Sequence, residues 1–147
     1  MLQALYQCDT LGDFSTQSLG LFFESFVGKD SAFEDEEEQR GSGTIDYLEF
    51  TKSIIEGIRT NLSRLDEKIT QSSTHWTINR MSRVDRNILR LATYEILFCD
   101  EIPLNVTINE AVEIAKRYGG TESPMFINGV LDNLAHHTDN MKISANR

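Results

Sequence analysis

Trp76–Asp100 reads WTINRMSRVDRNILRLATYEILFCD. At about 100° per residue, Val84, Ile88, Leu91, Ala92, Ile96, Phe98 and Cys99 share a broad apolar arc, while Arg83, Arg86 and Arg90 project from the other side. A helix apolar over nearly half its circumference is central, so the remaining segments read as its packing partners. Glu95 falls inside that arc, where an unpaired carboxylate is costly. It is expected to be a structural buried acid that has a specific donor or holds its proton.

On the C-terminal side, Pro103 marks a helix boundary or first turn, and Thr107-x-x-Glu110 is a capping box, so the next helix starts at one or the other. Ile108, Ala111, Val112, Ala115 and Tyr118 form its core face, and Glu113 is placed to pair with Arg117 at i+4. Gly119-Gly120 ends it, with Gly119 suited to a left-handed C-terminal position. Ser123-Pro124 reads as N-cap and N1 of a last helix whose Ile127, Val130, Leu131 and Leu134 face inward. The pattern dissolves after His137, and Thr138 to Arg147 reads as a frayed tail.

On the N-terminal side, Trp76 and Ile78 pack the approach to the central helix. Thr44 to about Gln71 is a long helix with Tyr47, Thr51, Ile54, Ile58, Leu62, Leu65 and Ile69 at three-and-four spacing. Unbroken it would run ~40 Å, so a bend is expected near Gly57 or Asn61. Ser15 to Val27 is a second helix with Leu19, Phe22, Phe23 and Phe26 on one face. Residues 28–43, with Glu34–Glu38 and Gly41-Ser42-Gly43, form an acidic flexible connector, a solvated loop rather than a cation site. Residues 2–9 are the last turns of a first helix, ended by Leu11-Gly12.

The class is therefore all-α: one domain over residues 1–147, a compact bundle of about six helices. Its 147 residues, 39% hydrophobic, with 2 Pro and 9 Gly, suit one domain with a real core. No run approaches the ~20 apolar residues of a membrane span and no signal segment opens the chain, so a cytoplasmic protein without a membrane partner is expected. Cys8 and Cys99 have no C-x-x-C spacing and read as buried thiols, not metal ligands. The net charge of -9 argues against broad, sequence-independent nucleic-acid binding, so any RNA contact must be local.

Catalytic chemistry finds no support. His75, His136 and His137 lie in a loop and near the end, no Ser or Cys sits in an activating context, and no phosphate-binding or dinucleotide motif is present. We expect no enzyme, no cofactor, no metal and no small-molecule substrate. The row Arg80, Arg83, Arg86 and Arg90 is either a solvated face with internal ion pairs or a partner surface. The Gly119–Ser123 loop leads into a helix N-terminus, either a capped turn or an anion site. Beside it stand Arg117, which can reach a phosphate, and Tyr118 and Phe126, which offer stacking faces.

Trp76 and Arg80 as W-x-x-x-R, then VDRNILRLATYE at Val84–Glu95, resemble the signature of the NusB transcription antitermination proteins. Ile102-Pro103, Ile108–Lys116, Tyr118-Gly119 and Phe126–Asp132 resemble the rest of that family's C-terminal half in order and spacing, and Leu2–Gln7 is similar to its first helix. The resemblance implies a NusB-like fold in which Tyr6, Asp85 and Arg86 belong to the surface for NusE, a ribosomal protein of the small subunit. It also implies that Arg117, Tyr118, Thr121, Glu122, Ser123 and Phe126 contact single-stranded boxA RNA. Two departures stand out. Met125 replaces the basic residue often found before that Phe, and Met1 falls where the family's arginine-rich lead should already have ended. A start codon placed late, a shortened chain, or a member without basic RNA binding would each account for the second.

The function implied is a non-enzymatic adaptor that, with NusE, binds boxA of ribosomal RNA leaders and joins RNA polymerase and other Nus factors to promote read-through. The alternative is a NusB-like interaction module that keeps protein docking and has lost most RNA binding. The RNA-recognition domain of an rRNA cytosine methyltransferase shares the fold by resemblance but calls for a further catalytic domain.

Overall fold

The computed structural model describes residues 2–15, 17, 41–74 and 76–145, with side chains described for all of these except 41–48 and 139–145. Among the described residues, six α-helices follow one another: α1 (Leu2–Leu11), α2 (Gly41–Thr60), α3 (Leu62–Ser72), α4 (Arg83–Phe98), α5 (Leu104–Tyr118) and α6 (Ser123–Ala145). A 3-10 turn at Ile78–Arg80 precedes α4, and the described residues contain no strand. The all-α class read from periodicity is the class observed. Apart from Ser15 and Gln17, the expected helix at Ser15–Val27 lies outside the described residues, as does most of the acidic connector. The connector's last three residues, Gly41-Ser42-Gly43, are helical and open α2, contrary to the loop expected there.

The helices fall into two compact units, Gln3–Thr60 and Asn61–Arg147. In the first, α1 buries Ala4, Leu5 and Cys8, and α2 buries Thr51, Ile54, Ile55 and Ile58. Gly12 ends α1 with φ +66°, a left-handed conformation that glycine adopts without a Cβ penalty, and the Asp13 N–H returns to the Cys8 carbonyl at 3.0 Å. The long helix expected over 44–71 is interrupted at Asn61, one of the two positions anticipated for a bend.

The second unit is built around α4. Ser82 caps it, its hydroxyl accepting the Asp85 N–H at 3.1 Å, and Asp85 in the first turn complements the helix dipole. Ile88, Leu89 and Ala92 of α4 join Ile69 of α3, Ile108, Ala111 and Ala115 of α5, and Ile127, Val130 and Leu131 of α6 in one apolar core. Each fully buried Leu or Ile contributes roughly 1.5–3 kcal/mol. The burial is wider than the apolar arc: Asn87, Arg90 and Thr93 are also buried. Arg90 therefore leaves the expected outer row. Its guanidinium lies inside, paired with Asp66 of α3. Phe98 and Tyr118, both expected on core faces, are exposed.

Several local expectations are corrected. Of the two starts expected for α5, the one at Pro103 is taken: the helix begins at Leu104 behind it, so Thr107 sits within the helix and the capping box is not formed. Its hydroxyl instead donates to the Glu95 carboxylate at 3.1 Å. Glu95 is half-buried rather than buried, and burial raises its pKa against the opposing effect of the Thr107 bond, with Glu110 adding a smaller rise. Glu113 pairs with Lys116 at i+3, 3.0 Å, rather than with Arg117. The last helix continues to Ala145, through most of the segment read as a frayed tail. Cys8 is buried and Cys99 half-buried, and both are free thiols. No described helix is long and apolar enough to cross a membrane.

Candidate nucleic-acid interface

The turn between α5 and α6 is tightly tied. Gly119 donates to the Ala115 carbonyl at 2.9 Å, the Gly120 N–H donates to the Ser123 hydroxyl at 2.9 Å, and the Ser123 N–H returns to the Gly120 carbonyl at 3.1 Å. Gly119 is extended (φ -89°, ψ 179°) and not left-handed as expected. Glycine is needed there for space: a Cβ would lie 2.6 Å from the Ser123 Cβ and 2.8 Å from the Ala115 carbonyl oxygen. Ser123 is buried, with its hydroxyl engaged within the turn. Thr121 and Glu122 are left exposed at the start of α6.

This turn forms one wall of a cleft of about 600 Å³. Trp76 and Phe126, with ring centroids 6.2 Å apart and planes at 69°, line it together with Arg80, Asp85, Thr121 and Glu122. Trp76 is half exposed, and an edge-to-face aromatic pair of this kind leaves a ring face available for stacking. Arg80 is an exposed guanidinium on the same cleft, opposed by two carboxylates, Asp85 and Glu122. The Asp85 Oδ1 is buried and has no hydrogen-bond partner among the described residues. The cleft thus pairs an apolar, flat-walled interior with one cation and a helix N-terminus, a combination suited to an unpaired base and an adjoining phosphate.

A second cleft of about 460 Å³ shares Trp76 and Phe126 and is completed by Ser73, Gly129, Asp132 and Asn133 among others. The two clefts and the 120–123 turn all lie within the second unit.

Of the residues expected to contact RNA, Thr121, Glu122, Ser123 and Phe126 line the first cleft, whereas Arg117 and Tyr118 are exposed on the last turn of α5 and are not among its lining residues. The residues expected to contact a protein lie on α1 and α4. Asp85 lines the same cleft as the RNA-assigned turn, Arg86 is half-buried on α4, and the half-exposed Tyr6 belongs to the other unit. Trp76, expected to pack the approach to α4, and Arg80, expected in the arginine row, both line the cleft. Their W-x-x-x-R spacing was the available signal.

The NusB family model matches residues 1–136, a span that includes both units. The chain belongs to the NusB family. Relatives include the transcription antitermination protein NusB of Geobacter sp. (strain M21), 41% identical over 134 residues that cover 91% of this chain and 88% of that one. The protein of the same name from Thermotoga maritima is 54% identical over 87 residues, 59% of this NusB-family chain and 61% of the relative. Among solved structures, T. maritima NusB superposes with a TM-score of 0.71 at 40% identity, over 92% of this chain and 84% of that chain. A chain from the crystal structure of a plectonemic RNA supercoil gives a TM-score of 0.73 at 23% identity, over 93% and 89% of the two chains, and shows a shared fold alone.

Proposed function

We propose that this NusB-family protein is a non-enzymatic transcription antitermination factor of the cytoplasm. With ribosomal protein NusE it holds boxA-type single-stranded RNA of ribosomal RNA leaders and helps RNA polymerase, with other Nus factors, read through terminators. The observation that carries this reading is the first cleft, where Trp76, Phe126, Arg80 and the tied turn before α6 converge. A base stacks on the aromatic pair, Arg80 takes an adjoining phosphate, and Arg117 and Tyr118 extend the surface. The names of the relatives, transcription antitermination proteins all, agree with it.

The acidic residues Asp85 and Glu122 on the cleft and the net charge of -9 favour a second reading, a protein-interaction module with little RNA affinity. Fluorescence anisotropy with labelled boxA-type RNA across a salt series, with and without NusE, separates the two. Weak binding alone, stronger binding with NusE and a log-log salt slope near -2 fit the adaptor, since about two or three phosphate contacts at ~0.7 each are expected. Absence of binding even with NusE leaves the protein-only module.

A further inference from the structure

We propose that the second cleft is a subsite for an amino-bearing nucleobase of single-stranded RNA, seated against the Trp76–Phe126 pair, so that consecutive stretches of one strand occupy both clefts. This rests on the RNA-binding reading and adds a second base position to it. Ser73 lines the cleft, is only 8% exposed, and its hydroxyl has no hydrogen-bond partner among the described residues. A buried hydroxyl of this kind calls for a partner that the described protein groups do not supply.

Gly129 points the same way. It lies in the interior of α6, where alanine is the better helix former, and the space its Cβ would fill is open, with nothing within 4 Å. The packing around it does not require glycine. Glycine there leaves the helix backbone open on the side of the cleft it lines.

The lining chemistry selects the ligand. Among the described lining residues there is no Lys, Arg or His, so neither a phosphate nor a carboxylate is served. Asp132 can only accept hydrogen bonds when ionised, and Asn133 donates its Nδ2 to the Ser72 carbonyl at 3.2 Å, leaving its Oδ1 as an acceptor. Two acceptors beside an aromatic wall fit the planar face and exocyclic amine of cytosine, adenine or guanine. Uracil would set its O4 acceptor against Asp132.

Trp76 is the chain's single tryptophan and reports on the wall directly. Oligocytidine and oligouridine strands would be titrated into the full chain, with NusE present, following Trp76 quenching and the anisotropy of the labelled strand. Wild type should bind oligocytidine more tightly than oligouridine and quench on binding. Gly129→Leu, which fills the cleft, should weaken oligocytidine binding by about tenfold or more, the scale of one lost stacking contact. Asp132→Asn and Ser73→Ala should narrow the preference for cytidine, and Gly129→Ala serves as the folding control by circular dichroism. Undiminished binding by a folded Gly129→Leu variant would overturn the subsite and leave the RNA reading standing. Failure of wild type to bind either strand would sink both, and a cleft blocked by a basic peptide but not by RNA would reassign it to a protein partner.

Discussion

The Arg90 guanidinium grips the Asp66 carboxylate through two parallel hydrogen bonds, Nε to Oδ1 at 2.8 Å and Nη2 to Oδ2 at 2.9 Å, and so locks α4 to α3 from inside the second unit. Side-chain exposures of 7% for Arg90 and 21% for Asp66 make this a largely desolvated, bidentate pair. Arg90 also donates to Asn87 at 3.1 Å. Asp66→Ala should cost about 3 kcal/mol, the lower end for breaking a buried pair, and Asp66→Asn less, because one acceptor survives. Urea melts followed by circular dichroism would measure this. A loss below about 0.5 kcal/mol, as for a surface pair, would show the bridge to be energetically idle.

Glu95 and Thr107 give a pH signature. Burial raises the Glu95 pKa above the ordinary 4.5, so folding favours the protonated acid. Its contribution to stability is fully present below that ordinary value and is lost as pH rises through the folded value. Glu95→Gln, which keeps an oxygen for the Thr107 hydroxyl, should therefore match or exceed wild-type stability at pH 7, and its advantage should shrink as pH falls toward 4.5. Paired thermal melts across that range test the sign. A variant that loses ground only at neutral pH contradicts it.

Gly119→Ala should destabilise the protein by about 1–3 kcal/mol, because the new methyl would press on both the Ser123 side chain and the rigid Ala115 carbonyl. The same strain disturbs the turn that lines the first cleft, so RNA binding should fall even where the variant remains folded. Gly120→Ala is the contrast, since a Cβ there meets only the Ser123 Oγ at 3.8 Å. Equal melting temperatures for the two variants would refute the steric account.

Binding of NusE, if it uses Tyr6 and Asp85, should persist despite the acidic net charge, since docking depends on a local patch. A Tyr6→Ala, Asp85→Lys double variant should lose at least about 2 kcal/mol, about 30-fold in Kd, by calorimetry. Unchanged affinity in a folded double variant would place the NusE surface elsewhere.

Helix periodicity, a local property of the chain, was enough to read the all-α class, the central helix and the inward faces of α6 and, Tyr118 apart, of α5. The family signature was likewise legible, because its residues are close in sequence. Boundaries fared less well: Thr107 offers a capping hydroxyl to its own segment, but Glu95 on another helix claims it, and Gly119 is kept for the nearness of Ser123 rather than for a left-handed turn. Only the tertiary structure could decide that Arg90 is inside, since its partner Asp66 is distant in the chain and a guanidinium is buried only where such a partner waits. The same holds for the clefts. Trp76 and Phe126 are far apart in sequence, and helix packing alone brings their rings together, with Asp85 and the 120–123 turn on one side and Ser73 and Gly129 on the other.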